Sequence, residues 1–431
     1  MKRAVPKCTK RWMTIALMVL AAALLFGGSA QAPPVVSVGT VFPYTGAGSE
    51  WGPVLQNTVE LCKTQVNEAA TTVFGGPIME VIYEDDATTP SVGVDRTRKL
   101  VDVDEVPVVI GTWSSGVAIA MAEAVTMPSQ VLHVVPIATS PLIAVLESDT
   151  EGLLFRTIGS DALQGVVAAQ LAAGELIEGH EYETASVIYI NSPYGQGLAD
   201  QFRRSFEARG KQVLEMVPVP EEPQPTYSAE LERALGGNPD LLVPIIYPGH
   251  ASVALAEARD LFEYTSYQHV DALRSRDVLE AIGAETLVGQ VGTVQAADEG
   301  RPGFRQFAAD YEAMFGEEPP LAFMDTTYDA CAVVGLAIGS AVAQGLDIDP
   351  FALRDQMLPV ANQPGEIVSV GEFERAFELL AAGEEIAYSG AAGEVEFDDR
   401  GEVITPIEVW RFTEDGFETV TLMRAEEIPA E

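Results

Sequence analysis

Lysine is scarce in this 431-residue chain, and it is unevenly placed. Lys2, Lys7 and Lys10 crowd the start, and only Lys63, Lys99 and Lys211 follow. With Arg3 and Arg11, the opening segment takes five of the 25 basic residues and none of the 64 acidic ones, leaving a net charge of −44 on the rest. So acidic a surface excludes nucleic acid, whose phosphates need a basic face. It excludes an anionic lipid surface for the same reason. Two readings of the acidity stay open: adaptation to high salt, where self-repulsion is screened, or plain solubility.

Histidine is also sparse. His133, His180, His250 and His269 include no pair at metal-ligand spacing, and there is no Cys-x-x-Cys. No metal and no cofactor is expected. Cysteine is limited to Cys8, Cys62 and Cys331. Cys8 precedes the apolar run, so it cannot serve as a lipoprotein cysteine. Cys62 and Cys331 read equally as a disulfide or as two buried thiols. The one early apolar run, Met13 to Phe26, is too short for a membrane span. Flanked by the basic start and by Gly27-Gly-Ser-Ala-Gln-Ala32, it reads as a secretory signal peptide over 1–32, cut after Ala30 or Ala32. The expected product is soluble, exported and monomeric.

What remains alternates. Val35 to Val41, Met79 to Glu84, Val108 to Ile110 and Val131 to Ile137 read as strands, with helical stretches between them. The first helix carries an apolar stripe at Val54, Leu55, Val59, Cys62 and Val66. After Phe155-Arg-Thr157 the rhythm restarts, with strands at Ala185 to Ile190, Val213 to Val219, Leu241 to Ile246 and Leu287 to Val294. Ala322 to Ala343 reads as a long buried helix. Pro350 to Ala382 reads as helical around a loop at Gln363-Pro-Gly365, and Glu394 to Phe397, Thr405 to Phe412 and Phe417 to Leu422 as β. The fold class is therefore α/β: two doubly wound, Rossmann-like lobes with a ligand cleft between them.

Two strand ends carry the chemistry. Gly111-Thr-Trp-Ser-Ser115 and Ala138-Thr-Ser140 each end a strand and open toward a helix. Hydroxyls and free helix-start N–H groups at such turns suit a carboxylate. Ser114, Ser115 and Thr139 are the donors; each read alone is as well a helix cap. Trp51, Trp113, Tyr194 and Tyr247 stand at strand-end loops as aromatic walls. A hydrolase is poorly supported, since Ser114 and Ser115 do not lie in Gly-x-Ser-x-Gly and no histidine is placed as a base. Gly46-Ala-Gly48 is not followed by the third glycine of a dinucleotide fingerprint. Asp85-Asp86 and Asp398-Asp399 read as turns. No enzyme is expected.

Several short pieces, in order, carry a resemblance: Tyr44-Thr-Gly46 with Trp51-Gly52, Tyr83-Glu-Asp-Asp86, Gly111 to Ser115, and Pro136-Ile-Ala-Thr-Ser-Pro141. Phe155-Arg-Thr157, Tyr194-Gly-Gln-Gly-Leu198, Tyr328-Asp-Ala330 and the stretch from Tyr388 to Gly401 complete it. The chain resembles the periplasmic branched-chain amino-acid (Leu/Ile/Val) binding proteins of ABC importers, with the type I periplasmic-binding fold. The resemblance implies lobe I as 33–158 plus 295–388 and lobe II as 159–294 plus 389–431, joined by three crossovers. It implies that Ser115 and Thr139, with backbone groups of Ile137 and Ala138, hold a ligand carboxylate. Trp51 and Tyr194 would flank the ligand, Tyr247 would lie near a third aromatic position, and Asp271 would take the ammonium. It implies a periplasmic location and an ABC permease of the inner membrane as partner. Three departures stand out: Asp271 is shorter than the usual Glu, Trp113 is bulky, and the acidic stretch from Gly345 to Glu385 is long. A same-fold sensor and, further off, an exported hydrolase using Ser114 or Ser115 are the alternatives.

Overall fold

The computed structural model describes residues 32–296 and 299–429. The signal-peptide reading falls on residues 1–31, outside these.

Five parallel strands form the first sheet: β1 (Val36–Phe42), β2 (Met79–Asp85), β3 (Val108–Gly111), β4 (Leu132–Val135) and β5 (Leu154–Arg156), in the order β2-β1-β3-β4-β5. The order reverses at β1 and β3, and there the strand ends open a crevice. The second lobe holds β6 (Thr184–Ile190), β7 (Gln212–Val219) and β8 (Leu241–Ile245) in the order β7-β6-β8. A bridge from Leu242 to Tyr267 leads on to a mixed sheet. It contains β9 (Gln268–His269), β10 (Val291–Gln295), β13 (Ile407–Phe412) and β14 (Phe417–Met423). β13 runs antiparallel to β10, so the chain end returns to the second lobe as a hairpin.

Between those visits, residues 302–389 pack on the first lobe, mainly against the helix Trp51–Phe74. The helix Met324–Gln344 lies against the helix Trp51–Phe74, and Cys62 and Cys331 join them in a disulfide. Met324–Gln344 is apolar and long enough to span a membrane, but 89% of its most apolar window is buried within the protein. It is a core helix, as its Ala and Gly content suggested. Of the stripe expected on the first helix, Leu55, Val59, Cys62 and Val66 are fully buried and Val54 half so. Full burial of each of Leu55, Val59 and Val66 stabilises by roughly 1.5–3 kcal/mol.

Several expectations need correction. Glu394 to Phe397 is not a strand; only Glu394 makes a bridge, to Ser389. The strand expected over Leu287 to Val294 begins at Val291, after the short helix Ala284–Leu287. Pro350 to Ala382 does break at Gln363-Pro-Gly365, into the helices Pro350–Ala361 and Phe373–Ala382, but the break also holds a strand. Between them lies β11 (Glu366–Ser369), paired in parallel with β12 (Ile386–Ser389).

Candidate functional site

Gly111 sets the first turn. Its φ is 156°, and a Cβ there would sit 2.4 Å from the Val41 carbonyl oxygen, so only glycine lets β3 end this close to β1. Thr112 donates to the buried carboxylate of Asp86, which tethers the turn to the end of β2. Burial raises that carboxyl to about 6. Asp85 beside it accepts from the Tyr44, Thr45 and Ala87 N–H groups. The Asp85-Asp86 pair thus builds loops, in line with its reading as a turn. The helix Ser115–Met121 then starts with Ser114 as its cap residue in extended conformation.

The second turn is held by an arginine. Arg156, fully buried at the end of β5, donates to the carbonyls of Ala138 (3.4 Å) and Ser140 (3.0 Å) and pairs with Glu402. Ser140 N–H donates to Ser115 Oγ at 3.1 Å, which stitches the two turns together. Because Ser115 accepts here, its own hydroxyl hydrogen is left to point elsewhere.

The opposite face comes from the second lobe. Ser192 caps the helix Pro193–Ala208, which carries Tyr194 in its first turn. Tyr247 ends the segment after β8, and Asp271 opens a short 3₁₀ turn after β9. The faces meet. Trp113 packs on Tyr247 with ring centroids 4.6 Å apart, and Tyr247 stacks on Tyr194 at 5.7 Å. Ser140 Oγ donates to the Pro193 carbonyl at 2.9 Å, and Ser275 Oγ to Glu50 at 2.6 Å.

Between the faces lies a narrow cavity, ≈ 240 Å³ when the space out to its open mouth is counted. It is lined by Trp113, Ser115, Ile137 and Thr139 on one side, by Tyr194, Tyr247, Asp271 and Ala272 on the other, and by Phe323. Seven of the residues expected at the site are thus brought together. Three lie one step back. Trp51 is buried behind Trp113, with rings 5.1 Å apart. Ser114 faces the Tyr247 hydroxyl at 3.5 Å, and Ala138 gives its carbonyl to Arg156.

One end of the cavity is acidic. Asp271 accepts from the Tyr194 hydroxyl (2.7 Å) and Gln164 (3.2 Å). Asp161, buried beside it, accepts from Thr139 (2.9 Å) and Gln295 (3.1 Å). Burial raises both carboxyls, and for Asp161 the charge of Asp271 adds to the rise. The amide oxygens of Gln164 and Gln295 are buried without a hydrogen-bond partner. Asp271 lines the cavity, and Asp161 and the two amide oxygens stand behind it; in its ionised form this group is rich in acceptors and suits a cation with N–H donors.

Asp161, Arg156, Gln164, Gln295, Ala272 and Phe323 were not read as site residues from the sequence. Arg156 had a local signal, a lone cation between apolar residues at a strand end. The others gave none. The histidines stay away from the serines: His133 bonds the Gly111 carbonyl, His180 Gln268, His250 the Pro220 carbonyl and His269 Gln290. Ser114 and Ser115 therefore lack a histidine base.

Comparison with known proteins agrees with this fold. A model of the periplasmic binding protein family matches residues 35–416. The chain is 29% identical over 397 residues to the chemotactic signal transduction system substrate-binding protein BasB of Halobacterium salinarum, covering 90% of each chain. It is 34% identical over 221 residues to Leu/Ile/Val-binding protein homolog 1 of Brucella abortus; that match takes in 50% of this chain and 56% of the relative. In fold it is similar to the leucine-binding protein LivK of Thermotoga maritima, with a TM-score of 0.74 at 20% identity, over 91% of this chain and 100% of that one. The chain belongs to the periplasmic binding protein family.

Proposed function

We propose that the exported chain captures a branched-chain or closely related amino acid and hands it to an ABC permease of the membrane. The observation that carries this reading is the polarity of the cavity. Ser115 offers a free hydroxyl hydrogen on one face, and Asp271, backed by Asp161, offers a carboxylate on the other; the Thr139 hydroxyl is already given to Asp161, so Thr139 has only its backbone left for the ligand. A zwitterion meets both demands at once. Trp113, Ile137, Tyr194 and Tyr247 supply apolar walls for its side chain. We take the lobes as 33–158 plus 295–388 and 159–294 plus 389–431. Ligand held first by the turns after β3 and β4 would recruit Tyr194 and Asp271 as the lobes close. No bond of the ligand is made or broken.

Thermal unfolding with a panel of amino acids, amides, urea and aromatic acids tests this. Ligand at 100 times its dissociation constant stabilises by about 2.7 kcal/mol, a readable shift. A shift with leucine, isoleucine or valine is the expected result. A shift only with benzoate-like acids or amides would remove the ammonium role of Asp271.

A second reading, ligand sensing for taxis, is favoured by the match to BasB along 90% of both chains. Gene deletion separates the two. Loss of leucine uptake marks an importer component, and loss of taxis toward leucine with uptake intact marks a sensor.

A further inference from the structure

Phe323 touches two cavities. It lines the ≈ 240 Å³ cavity between the lobes and also a second one of ≈ 1070 Å³, counting its open mouth. The second is lined by Arg274, Gln295, Asp325, Glu408 and Phe417 among others. Gln295 joins the two as well. Its Nε2 donates to Asp161 at the acidic end of the inner cavity, while the residue lines the outer one and its buried Oε1 has no partner.

The backbone at Phe323 is unusual. Its φ is +72°, the left-handed region that a bulky residue occupies only at a cost. Its ring is nonetheless 2% exposed and serves as wall. Its carbonyl accepts from the Thr327 N–H (3.1 Å) and from the hydroxyls of Thr326 (3.1 Å) and Thr327 (2.8 Å). These bonds fix the start of the core helix whatever side chain stands at 323. Glycine would keep them and would suit the φ better.

We infer that Phe323 restricts this site to single amino acids, and that the outer cavity behind it would accept the amino-terminal residue of a dipeptide. This rests on the amino-acid reading above. Phe323 and Gln295 both line the outer cavity, and Gln295 is bonded to Asp161 beside the carboxylate assigned to the ligand nitrogen, so an opening there extends the ligand from its nitrogen. The carboxylate would remain at Ser115 and Thr139. The free ammonium would move past Gln295 into a chamber holding the Asp325 and Glu408 carboxylates. Arg274 lies 3.6 Å from Glu408 and so already answers part of that charge.

The test uses calorimetry on the exported chain with leucine, glycyl-leucine and lysyl-leucine. Wild type should bind leucine and neither dipeptide. Phe323→Gly should raise the dipeptide-to-leucine affinity ratio by about tenfold or more, the usual worth of a missing or added contact in a pocket. Phe323→Leu, which shortens the wall without removing it, should fall between and stands in if the glycine variant does not fold. Leucine binding in wild type with an unchanged ratio in the variants overturns the wall alone. A wild type that ignores every free amino acid overturns the reading beneath it, and the wall with it.

Discussion

Asp271 and Asp161 form one acidic unit. Neither has a lysine or arginine hydrogen-bonded to it among the described residues; their partners are Tyr194, Gln164, Thr139 and Gln295. Burial holds both carboxyls above the usual carboxylate range. A ligand ammonium favours the ionised form, so binding should release a proton. The sign follows: affinity weakens as pH falls toward the ordinary carboxylate range, by up to about tenfold per unit for each proton released. Titration calorimetry in buffers of different ionisation heat reads that proton directly; no release at any pH would place the ammonium elsewhere. Asp271→Ala leaves the ammonium short of its carboxylate and should cost on the order of 2–5 kcal/mol of binding. A loss under about threefold, well below 1 kcal/mol, would take Asp271 out of the site. At this scale the sequence was half legible. Ser115 and Thr139 stand at strand ends, where local pattern places them. Asp271 was reached only through resemblance, because 64 acidic residues offer no local means of choice. Asp161 and Gln164 are distant in sequence from Asp271 and meet it only through the packing of separate elements, and Gln295 joins the group through Asp161.

The helices Trp51–Phe74 and Met324–Gln344 show what an element can and cannot announce. Their burial was legible, one from its apolar stripe and the other from its Ala and Gly content. Their partnership was not, and the state of Cys62 and Cys331 depends on it. The disulfide closes a separation of 269 residues. Cross-linking so long a loop is worth about 5 kcal/mol at most on chain-entropy grounds. Cys62→Ala with Cys331→Ala should therefore lower the denaturant midpoint clearly. Ligand affinity should stay, because neither sulfur lines the cavity. Unchanged stability after reduction would mean that the apolar packing around the sulfurs carries the contact alone. The strands that went unread, β5, β9, β11 and β12, span two to four residues, a length at which no period shows and only an apolar run such as Val108 to Ile110 marks a strand. Glu394 to Phe397 does alternate, and Val395 and Phe397 are buried. But Asn362 takes both backbone groups of Phe397, at 2.9 Å and 2.7 Å, where a strand would have found a neighbour. A side-chain amide stood in for a β partner, and alternation cannot reveal that.

Across the whole molecule, the charge is the feature with consequences. The few lysines are already committed: Lys99 meets Glu84 and Asp104 at 2.8 Å each, and Lys211 meets Glu181 and Glu183 at 3.0 and 2.7 Å. Each pair has one exposed partner, the lysine for Lys99 and the glutamates for Lys211, and contributes little. The remaining carboxylates far outnumber any cation, and folding brings them closer than the unfolded chain does. Repulsion should then oppose folding at low salt. Screening relieves it most between about 0.1 M and 1 M, where the Debye length falls from about 10 Å to about 3 Å. The melting temperature should climb steeply over that range in sodium or potassium chloride alike and flatten above it. Chloride salts are the proper probe, since sulfate strengthens apolar burial in any protein. The cleft adds a second, local effect. Glu50 on one lobe faces Asp277 on the other and is bonded to Ser275, and burial holds its carboxyl above the ordinary range. Like charges across the mouth resist closure, so leucine affinity should rise with salt along with stability. A melting curve that ignores chloride would reduce the acidity to a means of staying soluble. A rise in stability without a rise in affinity would confine the repulsion to each lobe and leave closure to the ligand.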